Sequence, residues 1–553
     1  MLRVSGTGGG NGCPLGMAED IPRPWAVYVA GVPASQGRPP QPGGEYWALI
    51  HPDGTFFGDR INHEQTDGTH TMTTQVSTPQ SICRFGIAQG DITPPVGIYH
   101  RMWGAATHDR SVGVHRALTA TAMVFGQAGS APTAATQQML IAVDHCVLEQ
   151  DEVDGISAEV ARVAGIECEA VVVVCAHTHG AGLMGRDRAE LPGGELVPPY
   201  LDSMTQTIGA LAKRAIDEVQ DVTISYATGR CDVAGNRDRF DPESDQWVTG
   251  FNPDVVADDT VIVARVTGAA GRTVATIVNY ACHPTTLVWD NQLISPDYPG
   301  AMREVVRQAT DAPCVFIQGA SGELGPRDGF VGDAVVADRN GRQLGFAAMS
   351  AFESLGAPNT RHEYAGPVVS GATIGTWERV GLSEADRAAS AVWRVDRVKV
   401  DLKYRDDLPT KADLEAERVT LLAEEQAARD RGDAAAAADW RALVERNTRM
   451  LSRLRERPAG DGFRLGIVIW RMGDAIWLSV QGEPYSLLQT ALRERFADRP
   501  IVVASIADGW GPLYLPPAEI YGKGIYQESI AVLAPGCLEQ LIEVLEERIE
   551  KLI

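Results

Sequence analysis

Two histidines separated by one residue, His177 and His179, close the stretch "VVVVCAHTHGAG" (171–182). Alternate residues of an extended segment point the same way, so this spacing directs two imidazoles at one point in space. Three more residues of ligand or acid/base type follow similar apolar runs: His283 after "TVATIVNYAC", Glu323 after "CVFIQGASG" and Glu483 after "AIWLSVQG". Neutral imidazoles and carboxylates hold Zn²⁺, and a catalytic zinc site typically uses three protein ligands and leaves one position for water. One histidine of the 177/179 pair, His283 and Glu483 supply such a set. Water bound to the ion ionises with a pKa of about 7, which is the chemistry of amide and ester hydrolysis. Mixed His/carboxylate sites also accept other divalent ions. Spacing alone leaves a second reading open, with His283 a hydrogen-bonded structural residue before Pro284 and Glu483 a cap for the helix after it. Cys175 and Cys282, beside the histidines, read as buried packing residues.

The elements that must position these residues are legible as an alternation. The runs "QQMLIAVD", "EAVVVVCAHTH", "RTVATIVNYACHP", "APCVFIQGASGE" and "DAIWLSVQGEP" each read as a strand of about five to seven residues, apolar on both faces. Helical patterns at 151–165 and 198–220 fall between some of them. Together they predict an α/β fold, a layered α/β domain with a largely buried mixed sheet. Ligands of open α/β sheets gather beyond the carboxyl ends of the strands, so these strand ends are expected to converge on one site. Asp144, at the end of "MLIAVD", is expected to face it as a partner orienting a histidine.

Residues 410–457 interrupt the alternation. Thr410 with Asp413 reads as a helix start, Gly432 as a break and Pro458 as the end, which predicts an inserted helical hairpin packed on the domain through Trp440, Leu443, Val444, Leu451 and Leu454. The last helix is amphipathic through Leu538, Leu541, Ile542, Leu545, Ile549 and Leu552. Residues 1–80 form a Gly/Pro-rich extension without a sustained period, in which "PWAVYV" and "YWALIH" read as short strands and His51, His63 and His70 as loop residues. The division expected is therefore an extension at 1–80 and a catalytic domain at 81–553.

With 553 residues and 44% hydrophobic content the chain can bury a large core, and its net charge of −23 argues against nucleic acid or an anionic membrane surface as partner. No run of apolar residues has the length of a signal peptide's core or a membrane span. The nine cysteines are odd in number, scattered and without C-x-x-C, so they read as reduced thiols of a cytoplasmic protein.

Seven motifs in order resemble the neutral (non-lysosomal) ceramidase family from about Cys83 to the end. They are "GIAQGDITPPVGI", "GVHRALTATAMVF", "CAHTHGAG", "NYACHPTT", "FIQGASGELGPRDG", "VQGEPYS" and "GWGPLYLPPAEIYGKGIYQ". The resemblance implies a zinc enzyme that hydrolyses an N-acyl amide in a small-molecule or lipid-like substrate, with His177, His283 and Glu483 as ligands and His179 beside the metal. The family's tyrosine ligand falls on Tyr514, although the local spacing is off by one and Trp510 competes for the place. Where the family carries a catalytic serine this chain has Gly325, so a metal-activated water is the expected nucleophile, with Glu323 a proton shuttle and Arg327 an anion or oxyanion clamp. Ser321 is a displaced and weaker candidate. His115 and Arg116 in "GVHRAL" are candidate substrate contacts, Arg116 being equally readable as the partner of a carboxylate. The chain ends after the "APGCLEQL" helix, where ceramidases continue into a β-sandwich, so ceramide itself is not the expected substrate. An esterase or lactonase on the same site, or a ligand-binding protein without turnover, are the alternatives that Gly325 keeps open.

Overall fold

The computed structural model describes residues Leu49–Ile50, Phe56–Phe57 and 74–553. Leu49–Ile50, within "YWALIH", pairs antiparallel with Phe56–Phe57, while "PWAVYV" and His51, His63 and His70 lie outside the described residues. The chain divides into two units, Met1–Met72 and Thr73–Ile553, and the second carries every candidate site residue.

Continuous apolar runs form strands buried on both faces, and here alternation sorts each face to a different layer. In Val171–Cys175, Val172 and Val174 face a second sheet, while Val171, Val173 and Cys175 face helices. The main sheet has eight strands in the order Cys314–Gln318, Thr273–Tyr280, Thr260–Gly268, Gln220–Arg230, Gln80–Asp91, Thr119–Gly126, Gln137–Val143 and Val171–Cys175. The outermost pair at each end is parallel and the rest antiparallel, so the sheet is mixed. One face is covered by helices Gln150–Ala164 and Val197–Asp217 over one half, and by Tyr298–Thr310 and Ala334–Ser354 over the other. The other face packs on a four-stranded sheet, Trp393–Lys403, Gly462–Met472, Ala475–Val480 and Ile501–Ala504, through Phe85, Phe125, Leu140 and Val172 against Trp470, Trp477 and Val502. Helices Leu487–Arg495 and Cys537–Leu552 close the outer face of that second sheet. The "AIWLSV" strand thus belongs to a different sheet from the other four predicted strands, a division that apolar composition does not encode.

The strand before His177 is one edge of the eight-stranded order and the strand before His283 lies one in from the other edge, Cys314–Gln318, yet the two edges meet. The segment Ser505–Asp508 bridges them. Ser505 N–H donates to Gln318 O at 2.9 Å, Cys175 N–H to Ile506 O at 3.2 Å, and Asp508 N–H to Val173 O at 2.7 Å. One short stretch leaving the second sheet therefore stitches both edges of the main sheet together. Ile506 and Asp508 take positive φ (55° and 50°) to do so.

The inserted hairpin consists of helices Lys411–Asp430 and Ala434–Glu456, placed in the connection between two paired strands, Trp393–Lys403 and Gly462–Met472. Thr410 and Asp413 form a reciprocal capping box, and Gly432 turns the chain at φ 72°. Of the predicted contact residues Val444 is buried, whereas Leu443 is exposed. Among the described residues no helix is long and apolar enough to cross a membrane.

Candidate metal centre

His177 does not continue a strand. The strand ends at Cys175, His177 has a left-handed φ of 67°, and His179 opens a short 3₁₀ turn. The imidazoles still meet, edge to face with ring centroids 5.1 Å apart, but through a strained turn and not through strand alternation. His177 N–H is held by His145 O at 2.9 Å. His283 follows the strand Thr273–Tyr280, with its N–H on Leu324 O at 3.1 Å. Glu483 pairs in register with Tyr514 in a two-residue parallel ladder, so carboxylate and phenol arrive together. Gly482 makes that ladder possible: its φ is 80°, and a Cβ there would lie 2.6 Å from Leu513 O.

One carboxylate oxygen joins the set. Glu483 Oε2 lies 3.0 Å from His283 Nε2 and 3.3 Å from His177 Nε2, and the three ligand atoms lie within 4.8 Å of one another. Each histidine is oriented from its other nitrogen: His177 Nδ1 donates to Cys146 O at 2.7 Å, and His283 Nδ1 to Ser321 O at 2.7 Å. Placing the proton on Nδ1 leaves the Nε2 lone pairs aimed at Glu483, the tautomer a metal requires. His177 Nε2 is buried and has no hydrogen-bond partner of its own. These donors fit a divalent cation. Cys146 Sγ also lies near His177, but at Nδ1, 3.6 Å away, on the nitrogen already committed to a carbonyl.

Burial, and then the neighbouring Arg237, push His283 down to about 3. Burial also holds His179 well below the ordinary imidazole range, with His177 and His283 adding to it. Burial acts to raise Glu483, but the adjacent imidazoles outweigh it and hold the carboxyl well below its usual range. Burial acts to lower His177, and Cys146 and Glu483 outweigh it in turn.

Arg237, in strand Ala234–Asp241, completes the cluster. Its guanidinium donates to Gly322 O at 2.7 Å and to Tyr514 Oη at 3.0 Å, and lies 3.3 Å from His283 Nε2. Nothing in "AGNRDRFD" marks this arginine. Tyr514 Oη is 3.4 Å from His283 Nε2, and burial raises its pKa so that it keeps its proton. Trp510 lies away from the cluster, under the guanidinium of Arg453.

The centre opens into a cavity of about 510 Å³. His179 lines it with both ring nitrogens free of hydrogen bonds, its ring tilted against Trp103 with centroids 5.1 Å apart, and Trp103 meets Trp289 and Phe330 edge-on. The far wall is the inserted hairpin, through Ala442, Glu445, Arg446, Arg449 and Arg453. The hairpin is held down by buried charge, Glu445 accepting from Arg188 at 2.9 Å and from Arg449 at 3.2 Å.

Six candidate site residues lie elsewhere. Glu323 is buried with its carboxylate turned to Ser486 N–H (2.9 and 3.0 Å), where it satisfies the start of helix Leu487–Arg495; burial raises it to about 7, and it is not part of the cavity lining. Arg327 is exposed, paired with Asp232 at 2.5 Å and laid over Phe251. His115 contacts Ser295 (2.9 Å) and Asp338 (3.1 Å), and Arg116 contacts Asp338 (2.7 Å) and Glu304 (3.0 Å), so the two tie a loop to helices. Asp144 is likewise committed, to Arg303 at 2.8 and 2.6 Å. Ser321 Oγ sits on the Nδ1 side of His283, away from the cavity, and accepts from Gln318 at 2.6 Å. Cys175 and Cys282 are buried. At Gly325 a Cβ would meet nothing nearer than Arg237 Cδ at 3.6 Å, so space does not impose glycine there.

No family model and no curated protein sequence match the chain. Solved structures do. A neutral ceramidase from Pseudomonas aeruginosa superposes with a TM-score of 0.57 at 17% identity, over 86% of this chain and 75% of that one. A ceramidase complexed with C2 gives a TM-score of 0.56 at 17% identity, over 85% of this chain and 76% of that one. The fold is therefore of neutral ceramidase type, a mixed α/β architecture.

Proposed function

We propose that this chain is a metal-dependent hydrolase, zinc being the ion its donors suit best, and that it cleaves an amide bond in an N-acyl substrate. The observation that carries this reading is the convergence of His177 Nε2, His283 Nε2 and Glu483 Oε2 at the floor of a cavity, with both Nδ1 atoms held by backbone carbonyls. A cation bound there supplies Lewis acidity and a water that ionises near neutral pH. Arg237 and Tyr514 are the donors for the carbonyl oxygen as it gains charge. His179, neutral and unpaired on the cavity wall, contacts the substrate and can donate to the developing oxyanion. No hydroxyl stands at Gly325 to form an acyl-enzyme. The catalytic unit is proposed to span 81–553 with 1–80 as an extension, and the free buried cysteines fit a reducing, cytoplasmic setting.

Elemental analysis of protein purified without chelator or metal-affinity tag is expected to give about one zinc per chain. Chelation abolishes turnover of N-acyl amides and Zn²⁺ restores it. His283→Ala, folded by circular dichroism, loses the metal; a full equivalent retained in that variant overturns the site. Absence of turnover in either state across amides and esters favours a ligand-binding protein without chemistry.

A further inference from the structure

The chain carries a net charge of −23, yet its cavity collects Arg237, Arg446, Arg449 and Arg453 against only Glu445 and Glu483. Both carboxylates are already committed, Glu445 to Arg188 and Arg449, and Glu483 to His177 and His283. Arg453 has no carboxylate partner among the described residues. Its Nε is buried without a hydrogen bond, and its guanidinium lies 5.8 Å from the centroid of the Trp510 ring. It is also within electrostatic reach of Glu483 and Tyr514. Arg446, Arg449 and Arg453 follow one another at helical spacing on one face of Ala434–Glu456, and that face is the cavity wall. A guanidinium whose Nε is buried without a hydrogen bond and which has no paired carboxylate is costly to keep, and its planar fork matches a carboxylate.

We propose that Arg453 is the anchor for a carboxylate on the substrate, which makes the substrate an N-acyl amino acid. The inference rests on the amide-hydrolase reading for its chemistry, but the anion site stands on its own observations. The carboxylate sits on Arg453, the acyl group lies along Trp103, Trp289 and Phe330, and the amide reaches His177, His283 and Glu483. Hydrolysis breaks the C–N bond, adds the water oxygen to the acyl carbon and delivers a proton to the leaving nitrogen. The products are a carboxylic acid and a free amino acid. The anchor is carried by the inserted hairpin and the hydrolytic residues by the sheets, so specificity and chemistry reside on separate elements.

The test compares N-decanoylglycine with its neutral analogue N-decanoylglycinamide. The wild-type protein is expected to prefer the carboxylate by tenfold or more in kcat/KM. Arg453→Met reduces that ratio about ten- to hundredfold, and Arg453→Lys restores part of it. Melting curves establish that both variants fold. A wild-type ratio near one, or a ratio unchanged in Arg453→Met, overturns the proposal while leaving the hydrolase reading intact. If neither compound is hydrolysed, calorimetric binding of the same pair decides: a carboxylate preference that Arg453→Met removes keeps the anion site and discards the hydrolase, and no preference discards the anion site.

Discussion

His177 holds a backbone conformation that costs a residue with a Cβ about 1–2 kcal/mol, and its N–H and Nδ1–H are each tied to a carbonyl of the neighbouring loop. The residue types of the centre were legible because imidazole and carboxylate have few other reasons to follow buried strands. Their geometry was not, since a strand-like i, i+2 pattern hid a left-handed turn. Arg237 escaped notice altogether. The local sequence gives an arginine no label, and its role comes from three contacts supplied by Gly322, His283 and Tyr514, all distant in the chain. Glu323, Arg327, His115 and Arg116 illustrate the opposite error, polar residues near the site in sequence whose partners lie on other elements. Arg237→Met is expected to lower kcat about a hundredfold with metal content unchanged, measured by steady-state kinetics beside elemental analysis. Loss of the metal together with activity would instead assign Arg237 to the structure of the centre.

The hairpin's boundaries could be read from Thr410, Asp413 and Gly432 because capping and helix termination are local chemistry. What it packs against could not, because that depends on Arg188 and Glu445, 257 residues apart. The same limit applied to the strands, whose apolar runs announced burial but not which of two sheets they join. Glu445→Ala leaves Arg188 buried without its partner, and a loss of about 3–5 kcal/mol is expected by urea unfolding, together with a raised KM. A KM unchanged in that variant would mean that the hairpin does not shape the cavity in solution. The terminal helix was legible in full: all six predicted core residues, Leu538 to Leu552, are buried, since amphipathicity is a property of one segment alone.

At the scale of the whole molecule, acid stabilises what burial has made costly. Burial raises Asp508 from 3.8 to about 7, so the folded state prefers its protonated form. The stabilising contribution is complete below about pH 4 and is lost as pH climbs through 7. Asp508→Asn mimics the protonated form, keeps an acceptor for Val173 N–H and tolerates the φ of 50°. Melting temperatures from pH 5 to 8 are therefore expected to fall more steeply for the wild type than for the variant, and parallel curves would remove Asp508 from the account. Asp508 belongs to the stitch that joins the two edges of the main sheet, and that stitch has a consequence during synthesis. The candidate ligands are dispersed from His177 to Glu483, and the segment that joins the two edges of the main sheet ends only at Asp508. A ribosome must deliver most of the chain before the three candidate donors can meet, so on the proposed reading a cation would bind only after the fold has closed.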